Sequence, residues 1–363
     1  MKNLTMLLNS NSIHPLTIKI LYWYSKSKRN LPWRENADAY AIWLSEIIFQ
    51  QTRIDQGLNY YVRLIDKFPT VYDLANAEER EVLKAWEGLG YYSRACNLHH
   101  AAKTIVNDFD GKFPEDYDDI LSLKGVGPYT AAAISSIAFA NVKPAIDGNV
   151  LRVCSRLFLI EDPVDKASTK AIIEKELYKI IDREKPGDFN QAMMELGALL
   201  CKPQNPLCEL CPISEHCIAY HSGMQDQLPK KSKKVVVKDV FYNFLVIDHQ
   251  NKLMITKRNS GIWKEMYQFP LYESDKHIDI DEMKIYLDKN NLNTDSSIIE
   301  SDTFKHVLSH RVIYAKFWII KTKKVLQISN TISIERKNLV DYPMPRLIHR
   351  FLESEEANKY LLM

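Results

Sequence analysis

The 363-residue chain is 46% hydrophobic and 26% charged with a formal net charge of +2, an ordinary balance for globular protein. That length suits two or three domains with a core each, and so small a charge leaves any nucleic-acid partner to local patches. No run of about 18 apolar residues occurs, which excludes a membrane-spanning helix, and the opening residues 1–8 turn polar too soon for a signal peptide. A cytoplasmic, monomeric protein is expected.

Apolar residues recur at helical spacing over 18–24, 42–48, 58–65, 134–139, 151–159 and 172–181, so residues 13–220 are expected to be nearly all helix. Breakers separate the runs: Phe68-Pro69-Thr70, Gly88-Leu89-Gly90, Phe113-Pro114, Gly125-Val126-Gly127-Pro128 and Lys185-Pro186-Gly187. The second run carries one acid, Glu46, among Trp43, Leu44, Ile47, Ile48 and Phe49. A carboxyl group in such company loses hydration, which disfavours the ion and raises its pKa. A general acid working near neutral pH requires that.

Over about 116–140, two helical segments meet at Leu123-Lys124-Gly125-Val126-Gly127-Pro128. Glycine permits a tight hairpin there. The amides of Lys124, Gly125, Val126 and Gly127, with the start of the next helix, then form a phosphate site blind to base sequence. An ordinary turn between packed helices is the alternative, but the full Leu-x-Gly-Val-Gly-x-x-Thr-Ala string resembles a DNA-binding helix–hairpin–helix, which favours the phosphate site. Asp147 precedes the apolar run of 150–159, where amides and the helix dipole favour a carboxylate. It reads either as a plain N-cap or as an ion that stabilises positive charge. Two carboxyls pushed apart in pKa are the usual arrangement for breaking a glycosidic bond.

Of six cysteines, Cys96 and Cys154 are isolated and read as core or surface residues. Cys201, Cys208, Cys211 and Cys217 follow the spacing Cys-x6-Cys-x2-Cys-x5-Cys, and four soft thiolates on one loop select zinc or an iron–sulfur cluster. Structural zinc commonly uses two Cys-x2-Cys pairs, and only one is present. Beyond the loop, residues 227–234 are polar and basic, the composition of a tether or a phosphate contact. The expected division is a helical domain at 1–225, a linker at 226–235 and an α+β domain at 236–363. The last has strands near 235–237, 240–247, 253–256 and 312–320, and helices near 278–287 and 346–353.

Taken together, Leu31-Pro32-Trp33-Arg34, the segments 43–52, 86–94, 126–131, 147–150 and 189–197, and the cysteine loop resemble the MutY family of the helix–hairpin–helix endonuclease III superfamily. The resemblance covers nearly all of 13–220. It implies a DNA glycosylase that removes adenine opposite 8-oxoguanine or guanine from duplex DNA, with one [4Fe–4S] cluster on the four cysteines.

By position, it implies Glu46 as the acid that protonates adenine and Asp147 as the group that stabilises or traps the sugar cation. Tyr129 and Asn149 support that intermediate, and Arg34 and Gln191 line the adenine pocket. Gln51 and Tyr91 wedge into the base stack, because the target bond is inaccessible until the base is flipped. Endonuclease III has a Schiff-base lysine where this chain has Tyr129, which implies base removal without efficient strand cleavage. A bifunctional pyrimidine glycosylase and a non-catalytic DNA-binding protein are the rivals, disfavoured by Tyr129 and by the carboxylate pair respectively.

The C-terminal part resembles the family's Nudix-like domain. His306-Val307-Leu308-Ser309-His310 matches its Phe-Ser-His lesion-reading motif with Leu308 in place of Phe, while a plain strand entry is the alternative. The Glu-rich box of Nudix hydrolases is missing, so nucleotide hydrolysis is not expected.

Overall fold

The computed structural model describes residues 13–232, 237–292, 297–324 and 326–361. Packing divides them into two compact units, one of 13–75 with 100–232 and one of 76–99 with 237–361. The division by sequence left 76–99 with the helices, whereas they pack with the sheet. In chain order the helices are α1 (Pro15–Ser27), α2 (Ala39–Ile48), α3 (Ile54–Lys67), α4 (Val71–Asn76), α5 (Glu79–Ala85), α6 (Ser93–Asp108), α7 (Tyr117–Ser122), α8 (Pro128–Phe139), α9 (Gly148–Leu157), α10 (Ala167–Ile180), α11 (Pro186–Leu199) and α12 (Ile218–His221).

Local chemistry sets the boundaries that matter for the site. The Asp38 carboxylate caps α2 by accepting from the Tyr40 and Ala41 amides, and Asp116 caps α7 in the same way. Such caps are worth about 1 kcal/mol each. Helix α8 is buried along Thr130–Ser136 and apolar all round, the composition of a helix enclosed by others. It packs on α2, α7 and α11, and α11 in turn packs on α1 and α9. Ile20 and Tyr24 of α1, Val153 of α9 and Phe189, Met193 and Leu196 of α11 share one core.

The end of the helical unit is less tether-like than its composition. Leu228 is buried, the Lys230 carbonyl accepts from the Val164 amide at 3.0 Å, and Ser232 bonds Asp165. Lys230 also meets Glu161 at 2.7 Å, an exposed pair of small worth. Lys230 and Ser232 are thus committed within the unit. The rest of the proposed linker, 233–235, lies outside the described residues, as do 235 and 236 of the first expected strand.

The second unit is built on a sheet of β1 (Lys238–His249), β2 (Lys252–Lys257), β3 (Tyr267–Gln268), β4 (Leu271–Ser274), β5 (Ile298–Glu300), β6 (Phe304–Val307), β7 (Arg311–Lys321) and β8 (Thr331–Glu335). Strands β1 and β7 run parallel at its centre, paired from Lys238↔Arg311 to Asp248↔Lys321. Alternate residues face opposite ways along a strand. Phe244, Val246, Phe317 and Ile319 therefore join one core, while Leu245, Ile247, Trp318 and Ile320 join another.

Helix α13 (Ile280–Lys289) packs Met283 and Leu287 into the second core, and α14 (Arg346–Leu352) and α15 (Glu355–Leu361) cover the first. The Phe317 ring stacks on Phe351 at 3.9 Å. A helical domain followed by an α+β sheet domain agrees with the class read from sequence.

Residues 76–99 are tied into this second unit by polar contacts. Glu87 accepts from the Met344 amide at 2.9 Å and meets the His349 ring at 2.9 Å, and Glu79 pairs with Lys257 at 3.1 Å.

Candidate active site

Helices α2, α8, α9 and α11 enclose a cavity of about 1220 Å³ in the helical unit. Arg34, Glu46, Gln51, Gly125, Gly127, Tyr129, Asp147, Asn149 and Gln191 all line it, so nine of the residues singled out by sequence converge. Lys124 and Val126 flank them on the hairpin, Lys124 exposed and Val126 buried as the turn's anchor.

Glu46 projects from α2 and its carboxylate accepts the Tyr129 hydroxyl at 2.6 Å. It keeps some surface toward the cavity, but protein surrounds it at longer range. Burial therefore raises its pKa to about 7; the Tyr129 bond opposes this, the Asp147 charge adds to it, and Arg34 opposes it. A carboxyl poised there holds a proton at neutral pH and can release it.

Asp147 is the N-cap of α9, accepting from the Val150 amide at 2.7 Å, and its second oxygen accepts from Asn149 Nδ2 at 2.7 Å. Both readings of this residue meet here: it caps a helix and it faces the cavity. Burial raises its pKa, opposed by those bonds and by the Arg152 charge.

Asn149 is itself held, its oxygen accepting from Arg152 Nη2 at 2.9 Å. The same guanidinium donates to the carbonyls of Gly197 at 2.8 Å and Cys201 at 2.6 Å. Gly197 permits this approach of α11, since a Cβ there would stand 2.5 Å from Asn149 Cβ.

The hairpin between α7 and α8 turns at Gly125, whose φ of 81° favours glycine. Gly127 is the N-cap of α8 and supplies no side-chain acceptor, and Pro128 has no N–H, so the amides of Tyr129 and Thr130 are the first the helix can offer an anion. Gln51, just after α2, has a φ of 58°, a conformation that a side-chain-bearing residue adopts at a cost of roughly 1–3 kcal/mol.

Three residues without an assigned role prove structural to the site. Glu195 on α11 is 1% exposed and receives Arg29 in a fork at 2.8 and 2.7 Å, the Arg29 amide at 2.9 Å and Arg34 Nη2 at 3.0 Å. Burial alone would raise its pKa, but these donors hold it at about 2. Arg29 and Arg152 are the others. The signal available in the sequence was an acid within the apolar run 192–200, where only paired cations make burial tolerable.

The four cysteines are free of disulfides and ring one cavity with Arg156. Arg156 is 2% exposed and donates to Cys201 Sγ at 3.3 Å and to the Lys202 and Pro203 carbonyls at 2.7 and 3.1 Å. Among the described residues, no group of three or more His, Cys, Asp or Glu is arranged for a single metal ion. Four convergent thiols beside a buried cation fit an iron–sulfur cluster, whose thiolates need compensating charge.

In the sheet unit, Leu308, Ser309 and His310 form the turn between β6 and β7. Leu308 packs against the core beneath, while Ser309 and His310 are exposed. Tyr91 has a φ of 49° beside Gly88 and Gly90, is 49% exposed, and shares a 2.7 Å hydrogen bond with Ser309.

Comparison with known proteins agrees with this layout. Residues 44–182 match the model of the HhH-GPD superfamily base excision DNA repair proteins, 201–217 that of the iron-sulfur binding domain of endonuclease III, and 242–354 that of the NUDIX domain. The adenine DNA glycosylase of Buchnera aphidicola subsp. Schizaphis graminum is 33% identical over 353 residues, covering 94% of this chain and 99% of the relative. The human adenine DNA glycosylase is 43% identical over 222 residues, covering 58% of this chain and 40% of the relative.

Among solved structures, a thermostable thymine-DNA glycosylase aligns with a TM-score of 0.52 at 28% identity, over 57% of this chain and 95% of its own. A non-covalent endonuclease III–DNA complex aligns at 0.50 and 25%, over 58% and 95%. The chain therefore belongs to the adenine DNA glycosylase (MutY) family, within the helix–hairpin–helix endonuclease III superfamily of base-excision repair enzymes.

Proposed function

We propose that the protein hydrolyses the N-glycosidic bond of adenine paired with 8-oxoguanine or guanine in duplex DNA. The observation that carries this reading is the protonatable Glu46, held by Tyr129, in the same cavity as Asp147. Glu46 gives its proton to the adenine ring as the bond electrons leave with the base. Asp147, oriented by Val150 N–H and Asn149, faces the positive sugar that remains, and water completes the substitution. Arg34 and Gln191 bound the base pocket, and the amides of 124, 125 and 127 take the phosphates, that of Val126 being given to the Leu123 carbonyl at 3.0 Å.

Gln51 in the helical unit and Tyr91 in the sheet unit are each suited by exposure and unusual backbone to enter the base stack when the base is flipped. Ser309 reads the opposite base through the N–H that 8-oxoguanine has and guanine lacks, with His310 beside it. The core contact of Leu308 supports a buttress for this turn, in place of the apolar wedge of the family motif.

Tyr129 offers no amine for an imine, so the enzyme removes the base without efficient strand cleavage. The cofactor is one [4Fe–4S] cluster on Cys201, Cys208, Cys211 and Cys217, and the enzyme works as a cytoplasmic monomer. Among the described residues no helix is long and apolar enough to cross a membrane.

The test is incubation with duplexes carrying A opposite 8-oxoguanine, G and T, followed by alkali to reveal abasic sites. Release from the first two is expected; excision of a pyrimidine instead would overturn the reading. Borohydride should trap little enzyme–DNA adduct, and efficient trapping would point to the bifunctional rival. About four iron atoms per chain and a yellow-brown colour are expected of the purified protein; stoichiometric zinc without visible absorbance would replace the cluster.

A further inference from the structure

Helix α11 brings a second buried carboxylate, Glu195, to the wall of the cavity that contains Glu46. Its partners are Arg29 and Arg34, and both are placed by contacts to the same short stretch: Arg34 Nη1 also donates to the Arg29 carbonyl at 3.2 Å. Arg34 is 12% exposed, lies over the Tyr24 ring at 5.6 Å, and its Nε is buried without an acceptor among the described residues. The charge of a guanidinium so enclosed is poorly screened by water. Glu195 is the carboxylate that meets it.

We propose that Glu195 is a positioning residue of the excision chemistry: by gripping Arg29 and Arg34 together it fixes Arg34 on the cavity wall and cancels charge that would otherwise face Glu46. This rests on the reading of Glu46 as the acid. The groups that face Glu46 are Tyr129 from α8, Asp147 from the start of α9 and Arg34 from the turn before α2, and Arg53, Asp55 and Lys170 line the same cavity farther round. Of these, Tyr129 and Arg34 work against retention of the proton and Asp147 works for it. Around Glu195 stand Arg29, Arg34 and Tyr24, with Lys28 over the Tyr24 ring and Asp188 acting on Tyr24 from α11. Two arginines and one glutamate leave a local charge of one. Removing Glu195 doubles it, and removing Arg29 abolishes it.

The two changes must therefore move Glu46 in opposite directions, which a purely structural role would not produce. The measurement is the titration of the Glu46 carboxyl in the full-length free protein, by infrared difference spectroscopy of its protonated C=O stretch, assigned with Glu46→Gln. The midpoint near 7 should fall by about one unit in Glu195→Gln and rise in Arg29→Met. Unchanged midpoints in both, or shifts of the same sign, would overturn the proposal.

Glu195→Gln leaves two cations together and is expected to fold less well. If it does not accumulate, Arg29→Met decides alone, since the Arg29 side chain is 36% exposed and its loss is tolerable; a flat or falling midpoint there sinks the idea. Adenine release is followed in parallel across pH. A wild-type protein that releases none discards the excision reading, while the titration still decides whether Glu195 controls Glu46.

Discussion

The cavity of the helical unit and the Tyr91–Ser309 surface of the sheet unit handle polar groups in opposite ways. In the cavity Glu46, Tyr129, Asp147 and Glu195 are enclosed, each is locked by named partners, and each has its acidity displaced by its surroundings. On the surface, Tyr91, Ser309 and His310 are exposed, and the conspicuous feature is the backbone of Tyr91. Bond breaking gains from a dry, preset environment in which a single charge is felt strongly. Reading a base on DNA instead requires groups that water can reach and DNA can displace. Within the cavity the lesson repeats: Glu46 and Glu195 are both carboxyls removed from water, and one is pushed to about 7 while the other is held at about 2. Burial pushes both carboxyls up, and only Glu195 has the paired cations that reverse it.

The largest effect expected from this contrast lies at the acid. Glu46→Gln preserves shape but has no proton to give, so single-turnover excision should fall by at least about 100-fold while mispair binding persists. Near-normal excision would remove Glu46 from the chemistry and break the contrast outright.

The same variant tests the energetics of enclosure. Because the folded pKa of Glu46 is raised, its favourable contribution is complete below the unfolded value near 4.5 and is lost as pH rises through about 7. Glu46→Gln should therefore match wild type at pH 4–5 and exceed it at pH 8, by on the order of 3 kcal/mol in denaturant melts. A pH-independent difference would mean that Glu46 is better hydrated than its position implies. Glu195 has the reverse sign, its contribution being present above 4.5 and lost as pH falls toward 2.

The smallest effect belongs to the exposed surface. Ser309→Ala should narrow the preference for 8-oxoguanine:A over G:A by about 2- to 13-fold, the worth of one net hydrogen bond of roughly 0.5–1.5 kcal/mol. Excision from G:A should be spared. An unchanged ratio would move lesion reading to Gln51 and Tyr91.

How much of this was legible follows the same division. The hairpin, the carboxylate pair and the cysteine loop are compact signals, each a few residues long, and the resemblance assigned their roles. Long strands such as β1 and β7 carry enough β-branched and aromatic residues to be read directly. Strands β4, β5, β6 and β8 have only three to five residues, and their conformation comes from pairing with β1, β2 and β7. Residues 76–99 read as more of the helical domain because helix periodicity records which face is buried and not what buries it. Glu195 lay within a recognised segment, but its meaning depends on Arg29 and Arg34, some 160 residues away in the chain.

Gly197 gives the site a mechanical property. The Cβ that alanine would add at this position lands 2.5 Å from Asn149 Cβ, so the clearance between α11 and α9 is already spent. Asn149 in turn orients Asp147 through a single 2.7 Å bond. The gap between two helix backbones thus acts as a gauge block for Asn149, and through it for one oxygen of the carboxylate, while the Val150 amide holds the other. A Gly197→Ala protein must part α11 from α9 to admit the methyl group, so a lowered melting temperature is expected together with slower excision.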